Sequence, residues 1–298
     1  LDKGETYNFS MWVKKLGFEG KAEVFIRGAR SVLSTVAEIE LSGNGGEWVK
    51  VSCSVKALET QMGRLVIIFK GSGHIGVDCV SLLPSKVWGD PDKYRNGKLS
   101  PRIVKVLKDC HPSFFRFPGG CVVEGDEIFD NMYKWRNTVG ALEERKQIAN
   151  TWGYMQSYGV GFYEYFALCE DLKMTPLPVL HCGLLCQIRV GEQRGEGYRR
   201  IMPGTAEFKH EVIDNVADLL FFALGSADSE DANEAHWAKV RAEMGHPAPF
   251  ELKYVGIGNE NWGNEYFENF DACLMGLRQY EYAGRQTDLI EKFGVTIV

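Results

Sequence analysis

Phe114-Phe115-Arg116-Phe117-Pro118-Gly119-Gly120 is the stretch on which the fold turns. Four residues dominated by aromatics are too short for a stable helix, and Pro-Gly-Gly stops them, so they read as a short buried strand. Working outward, the preceding segment is helical. Ser100-Pro101 is a helix start with a capping hydroxyl and Pro at the first position; Ile103, Leu107 and Cys110 follow on one stripe, and His111-Pro112 ends it. Downstream, Phe162, Phe166, Cys169 and Leu172 mark a second helix, and Leu177-Pro178-Val179-Leu180 a second strand. A third helix is expected from Ala206 to Leu224, burying Val212, Val216, Leu219 and Leu220, with a further helical stretch near Trp237. A strand from Leu252 to Ile257 follows, then one long helix from Tyr266 to Lys292 and a strand beginning at Val295.

Strands alternating with helices imply a parallel sheet with helical crossovers. The strands are apolar nearly throughout, as a sheet covered on both faces requires. A dinucleotide-binding sheet is the first rival, but no strand-to-helix turn carries GxGxxG; Gly256-Ile257-Gly258-Asn259-Glu260 lacks the third glycine and ends in an acid. A (β/α)8 barrel is preferred, of which about four units fit.

The residues before Leu83 have a different period. Phe9, Met11 and Val13 alternate with polar neighbours, as do Val49, Val51, Cys53 and Val55, and turn residues such as Gly43-Asn44-Gly45-Gly46 separate the runs. Short alternating strands at this spacing suggest an antiparallel β-sandwich, jelly-roll-like, serving as a spacer or a sugar binder. The expected organisation is therefore a sandwich over residues 1–88 and the first half of a barrel over residues 89–298. Leu1 is no initiator, and the strand at Val295 to Val298 has only begun, so the chain reads as part of a longer one.

The 298 residues are 45% hydrophobic and 25% charged, an ordinary globular balance that excludes a disordered chain, a collagen or a coiled coil. A net charge of -6 argues against a nucleic-acid partner, which needs a basic face. No apolar run reaches the roughly 18 residues of a membrane span. The eight cysteines form no CxxC pair; Cys182 and Cys186 stand as CxxxC without a histidine at finger spacing, and most are expected to be buried thiols. No metal and no cofactor is expected.

In a barrel, chemistry sits where strands end. Three strand ends are polar: Arg116 followed by Gly119-Gly120-Cys121 and Glu124, then His181, then Asn259-Glu260. A carboxyl at the mouth of an apolar barrel is partly desolvated, which suits Glu260 to hold and donate a proton, and Asn259 can donate to a sugar hydroxyl. The same pair also suits a helix cap. Arg116 should meet a carboxylate. Gly119-Gly120 allows a close backbone approach or a plain tight turn. Cys121 reads more as a buried thiol than a nucleophile, Trp152 as a packing residue or a sugar-stacking one, Glu164 as structural, and His181 as a core histidine.

The motifs resemble a known family. Residues 115–126, Phe-Arg-Phe-Pro-Gly-Gly-Cys-Val-Val-Glu-Gly-Asp, are similar to a conserved stretch of family 51 glycoside hydrolases, the α-L-arabinofuranosidases. Lys134 to Gly140, Gly161 to Leu172 and Met244 to Glu260 resemble three further segments in the right order. Val77 to Pro84 is similar to the end of the sugar-binding-type sandwich in plant and gut-bacterial members. The resemblance implies a retaining glycosidase on a (β/α)8 barrel that releases terminal α-L-arabinofuranose from arabinose-containing oligo- or polysaccharides. It implies Glu260 as acid/base, Asn259 on the sugar 2-hydroxyl, Arg116 as partner of the nucleophile, Cys121 at a position where some members carry a sugar-binding Asn, and Trp152 lining the arabinose site. The nucleophile, a Glu at the end of the seventh strand, and a substrate-binding Glu on the first have no counterpart here, and Ala141 replaces the usual Pro after Val139-Gly140. A β-xylosidase or endoglucanase on the same scaffold, or a polysaccharide-binding protein without turnover, are the alternatives. The expected location is secreted or periplasmic; a homo-oligomer is left open.

Overall fold

The structure, a computed structural model, describes residues 1–41, 45–125, 131–150, 152–186 and 200–298. Gly43-Asn44 of the expected turn and Asp126 at the end of the family motif lie outside the described residues. The chain divides into two compact units, Leu1–Val87 and Trp88–Val298.

In the first unit, β1 (Thr6–Arg27), β2 (Ala37–Glu40), β3 (Trp48–Lys56) and β4 (Arg64–Pro84) join as one antiparallel sheet. β1 is its spine. One edge pairs with β3 through Lys14 and with β2 from Lys21 on, and the other edge pairs with β4 along its length. Phe9, Met11, Val13, Phe18, Ala22 and Val24 share one core cluster with Ile39, Leu41 and Val51. The buried positions change from odd to even numbers between Val13 and Phe18. Leu16 and Gly17 both stand opposite His74, and this one-residue bulge keeps Phe18 on the apolar face, where strict alternation would turn it to water.

The second unit carries a parallel sheet. Helix α1 (Pro101–Cys110) precedes β5 (Phe114–Phe117), a small hairpin of β6 (Ile148–Ala149) and β7 (Met155–Gln156) follows, and α2 (Phe162–Leu172) leads to β8 (Thr175–Leu180). Then come α3 (Asp214–Leu224), α4 (Ala232–Glu243), β9 (Tyr254–Ile257), α5 (Asn264–Arg278), the hairpin β10 (Tyr280–Tyr282) and β11 (Arg285–Thr287), α6 (Leu289–Phe293) and β12 (Thr296–Ile297). The sheet order is β12-β9-β8-β5, all parallel, each strand beside the one before it in the chain. A doubly wound sheet reverses its order part-way; a barrel does not. The described strands form an open sheet rather than a closed barrel.

Two prolines inside central strand β8 are tolerated for a geometric reason. Thr175 N–H donates toward β5, to Ser113 O, and Leu180 O accepts from Gly258 N–H on the β9 side. Alternation therefore sends the nitrogens of Pro176 and Pro178 toward β9, whose pairing starts only at Val179.

One face of this sheet packs on helices. Phe117 meets Phe162 and Phe166 edge-on, at 5.1 and 5.3 Å between ring centres. The other face carries Phe114, Arg116 and Tyr254, all exposed, so the expectation of burial on both faces holds for one face of this chain only. Helix α2 is fixed at its start by Glu164, which is fully buried. It accepts from Gly97 N–H (3.0 Å), Gly161 N–H (2.8 Å) and both terminal nitrogens of buried Arg145 (3.0 and 2.8 Å). Its expected structural role is what these contacts give it.

Several local expectations are corrected. Ser100 caps α1 with its carbonyl only, accepting from Val104 N–H, and its hydroxyl makes no cap bond. The α1 stripe is rotated: Val104 is buried and Leu107 half-buried, while Ile103 is 65% exposed and Cys110 exposed. The helical run from Ala206 includes one π-turn, Lys209–Ile213, before α3. The long helix expected through Lys292 is broken by the β10–β11 hairpin. Ala283 (φ 48°) and Gly284 (φ 74°) supply the two left-handed residues of a tight hairpin turn, a job usually signalled by Asn-Gly. Of the cysteines, only Cys169, Cys182, Cys186 and Cys273 are buried; Cys79 and Cys110 are exposed.

Candidate active site

The C-terminal ends of β5, β8 and β9 lie together, because the three strands are adjacent and parallel. Arg116, Leu177, Val179, Gly258, Asn259 and Glu260 line one cavity of about 240 Å³ there. Arg116 comes from the exposed side of β5. Among the described residues its guanidinium meets an amide, donating from Nη2 to Asn259 Oδ1 at 2.9 Å. Asn259, 7% exposed, uses its other end to donate from Nδ2 to Glu124 Oε2 at 3.4 Å.

The turn after β9 sets these side chains. Gly258 (φ 83°) and Glu260 (φ 51°) are both left-handed, a conformation that costs a non-glycine residue about 1 kcal/mol or more. Asn261 closes the turn by donating from Nδ2 to Ile257 O at 2.7 Å, and Trp262 N–H donates to Glu260 O at 2.7 Å. A Cβ on Gly258 would sit 2.1 Å from Asn261 Oδ1. Gly258→Ala is therefore expected to lower the unfolding midpoint and to cut any turnover at least ~10²-fold, since a displaced reacting group costs that much. Gly204→Ala is the control: it has the same positive φ with nothing within 4 Å. Equal effects of the two substitutions would mean that the Asn261 contact is unimportant.

Glu260 is exposed on the open sheet of this chain. Beside the site, the buried carboxyl is Glu124. It lies at the end of the short turn Cys121–Val123, is 1% exposed, and burial pushes its pKa up to about 7, with the nearby polar groups of Tyr266, Asn259 and Cys186 pulling the other way. In the sequence Glu124 stands only as one of the polar residues after the first strand end. Its signal was the pair Val122-Val123, which is buried and carries Glu124 inward.

Cys121 is half-buried, and its carbonyl accepts from Glu124 N–H and Gly125 N–H, so it shapes the turn that delivers Glu124. Gly120 packs on Asn259, where an added Cβ would lie 3.1 Å from Oδ1. That makes the double glycine a close approach within the chain. Trp152 lies between β6 and β7, exposed, and outside the lining of the cavity. His181 is buried, and burial holds its pKa down to about 4, so it is neutral at pH 7. Among the described residues no three His, Cys, Asp or Glu side chains stand where they could hold a metal ion. No helix among them is long and apolar enough to cross a membrane.

The sequence pattern of the α-L-arabinofuranosidase 1 domain matches residues 106–291. The chain belongs to this family. It is 35% identical over 284 residues to the extracellular exo-α-L-arabinofuranosidase of Streptomyces chartreusis, covering 91% of this chain and 31% of that protein. It is 33% identical over 270 residues to α-L-arabinofuranosidase 2 of Arabidopsis thaliana, covering 90% of this chain and 36% of that one. The chain thus spans about a third of the length of these curated relatives. Among solved structures, the arabinose-bound MgGH51 α-L-arabinofuranosidase superposes with a TM-score of 0.75 at 23% identity, covering 99% of this chain and 44% of that one. This last likeness is one of fold.

Proposed function

We propose that the intact protein is a retaining α-L-arabinofuranosidase that releases terminal arabinofuranose from arabinose-containing glycans. The observation that carries the reading is the convergence of Arg116, Asn259 and Glu260 at adjacent parallel strand ends, in a chain of this family. Glu260 protonates the glycosidic oxygen while a carboxylate attacks the anomeric carbon, then takes a proton from the incoming water; retention needs the two carboxyls about 5–5.5 Å apart. The attacking carboxylate comes from a later strand, and the four parallel strands are the first half of a (β/α)8 barrel. Asn259 donates to the sugar 2-hydroxyl, a bond that tightens in the transition state. Cys121 and Trp152 flank the arabinose. The Leu1–Val87 unit takes the part of a sandwich of carbohydrate-binding type. Likeness to the extracellular Streptomyces enzyme supports action outside the cell.

The test is cleavage of 4-nitrophenyl α-L-arabinofuranoside followed by proton NMR. The first-formed sugar is expected as the α anomer. A β anomer would overturn retention, and preference for the xyloside or for a β-glucan would overturn the substrate.

A further inference from the structure

We propose that Glu124 is the positioning residue for Asn259: its carboxyl holds the amide so that Oδ1 faces Arg116 and an N–H is left for the sugar. This rests on the function just given, since it deepens the role of Asn259 at the same site.

An asparagine amide can rotate end for end, and the two orientations present opposite hydrogen-bonding groups to a ligand. Arg116 can only donate, so its bond to Asn259 Oδ1 already favours one orientation. But Arg116 is exposed and grips from the rim. Glu124 grips from beneath, buried, as an acceptor for Nδ2. A donor on one side and an acceptor on the other admit a single orientation. A side chain at position 120 would crowd this amide, since an added Cβ would lie 3.1 Å from Oδ1, so the glycine keeps the place in which it is held. The 3.4 Å separation is long for such a bond, as is common before substrate arrives, and leaves distance to be gained when the site tightens.

Glu124 is costly to keep there. Its Oε1 is buried without a hydrogen-bond partner among the described residues. Tyr266, whose hydroxyl donates to Leu185 O (3.1 Å), lies beside this carboxyl. A neutral acid carries no charge to be solvated and still accepts from Asn259 with one oxygen. The raised pKa of about 7 agrees. With the folded value above the usual 4.5, the native state holds a proton that the unfolded chain releases. Stability is then full below the unfolded value and falls as pH rises toward 7.

The experiment is a double-mutant cycle in the full-length protein, with Glu124→Ala, Asn259→Ala and the pair. Each single substitution is expected to lower kcat on an aryl arabinofuranoside by about 30-fold or more with little change in KM. The pair should be hardly worse than Asn259→Ala alone, because Glu124 acts through it. Glu124→Gln should recover most of the loss, and its unfolding midpoint should gain on the parent between pH 4.5 and 7. If Glu124→Ala does not fold, Glu124→Asp replaces it, with its carboxyl drawn back by one methylene. Losses that multiply across the cycle, or Gln as poor as Ala, would overturn the proposal. A parent protein that cleaves no arabinofuranoside would instead remove the function. The same cycle read on unfolding midpoints would still score the Glu124–Asn259 link, with additivity counting against it.

Discussion

Glu260→Gln is expected to cut turnover of natural arabinosides by about 10²–10⁴-fold, the range that a positioned proton donor contributes. The loss should be much smaller on aryl arabinosides with good leaving groups, which depart without protonation. Steady-state kinetics on a leaving-group series checks this. The signature is a steepened dependence of kcat/KM on leaving-group pKa in the variant. An equal loss across the series would assign Glu260 to binding and leave the proton to another group. Glu260 is exposed on the open face of the sheet, so the donor role also requires that the intact protein cover this face. The variant should therefore be compared in the whole enzyme.

The largest effect on stability is expected at Glu164. Its carboxylate answers two backbone N–H groups and the Arg145 guanidinium, with both side chains at 0% exposure. Glu164→Ala strands a buried positive charge, a change worth about 3–5 kcal/mol. In a unit of this size that corresponds to a fall in midpoint on the order of 10 °C. Chemical denaturation should show it as a shifted midpoint. Lys105→Ala, which breaks the exposed Lys105–Asp109 pair, is the comparison and should cost under about 1 kcal/mol. Similar shifts for the two would mean that Glu164 is paired in name only.

What could be read beforehand follows from how local each signal is. Phe115 and Phe117 need only their own alternation to announce a strand, and Pro118-Gly119-Gly120 ends it without help from the rest of the fold. The parallel order of β5, β8 and β9 follows from the helices between them. The α1 stripe failed because two positions one residue apart, Ile103 and Val104, are equally apolar, and only the packing decides which one faces inward. The Tyr280 to Thr287 hairpin was hidden because Ala283 takes a left-handed conformation that its side chain does not advertise. Glu124 was named but not weighted. Its importance lies in meeting Asn259, which stands far along the chain, and no spacing rule reports such a meeting. Glu260 was found by its place at a strand end, yet its exposure depends on what covers the sheet. Local sequence does not carry that.

The order β5, β8, β9, β12 also bears on how the protein is made. Each strand leaves the ribosome after the one it will pair with, so its partner is already outside and free to receive it. The sheet can grow at one margin in step with elongation, without waiting for a distant part of the chain. At every stage the newest strand forms one margin of the sheet, and the next helix and strand to emerge are the ones that cover it. A pause in translation between Leu180 and Tyr254 would leave β8 as that margin for longer, and rare codons there are where misassembly of the nascent sheet would start.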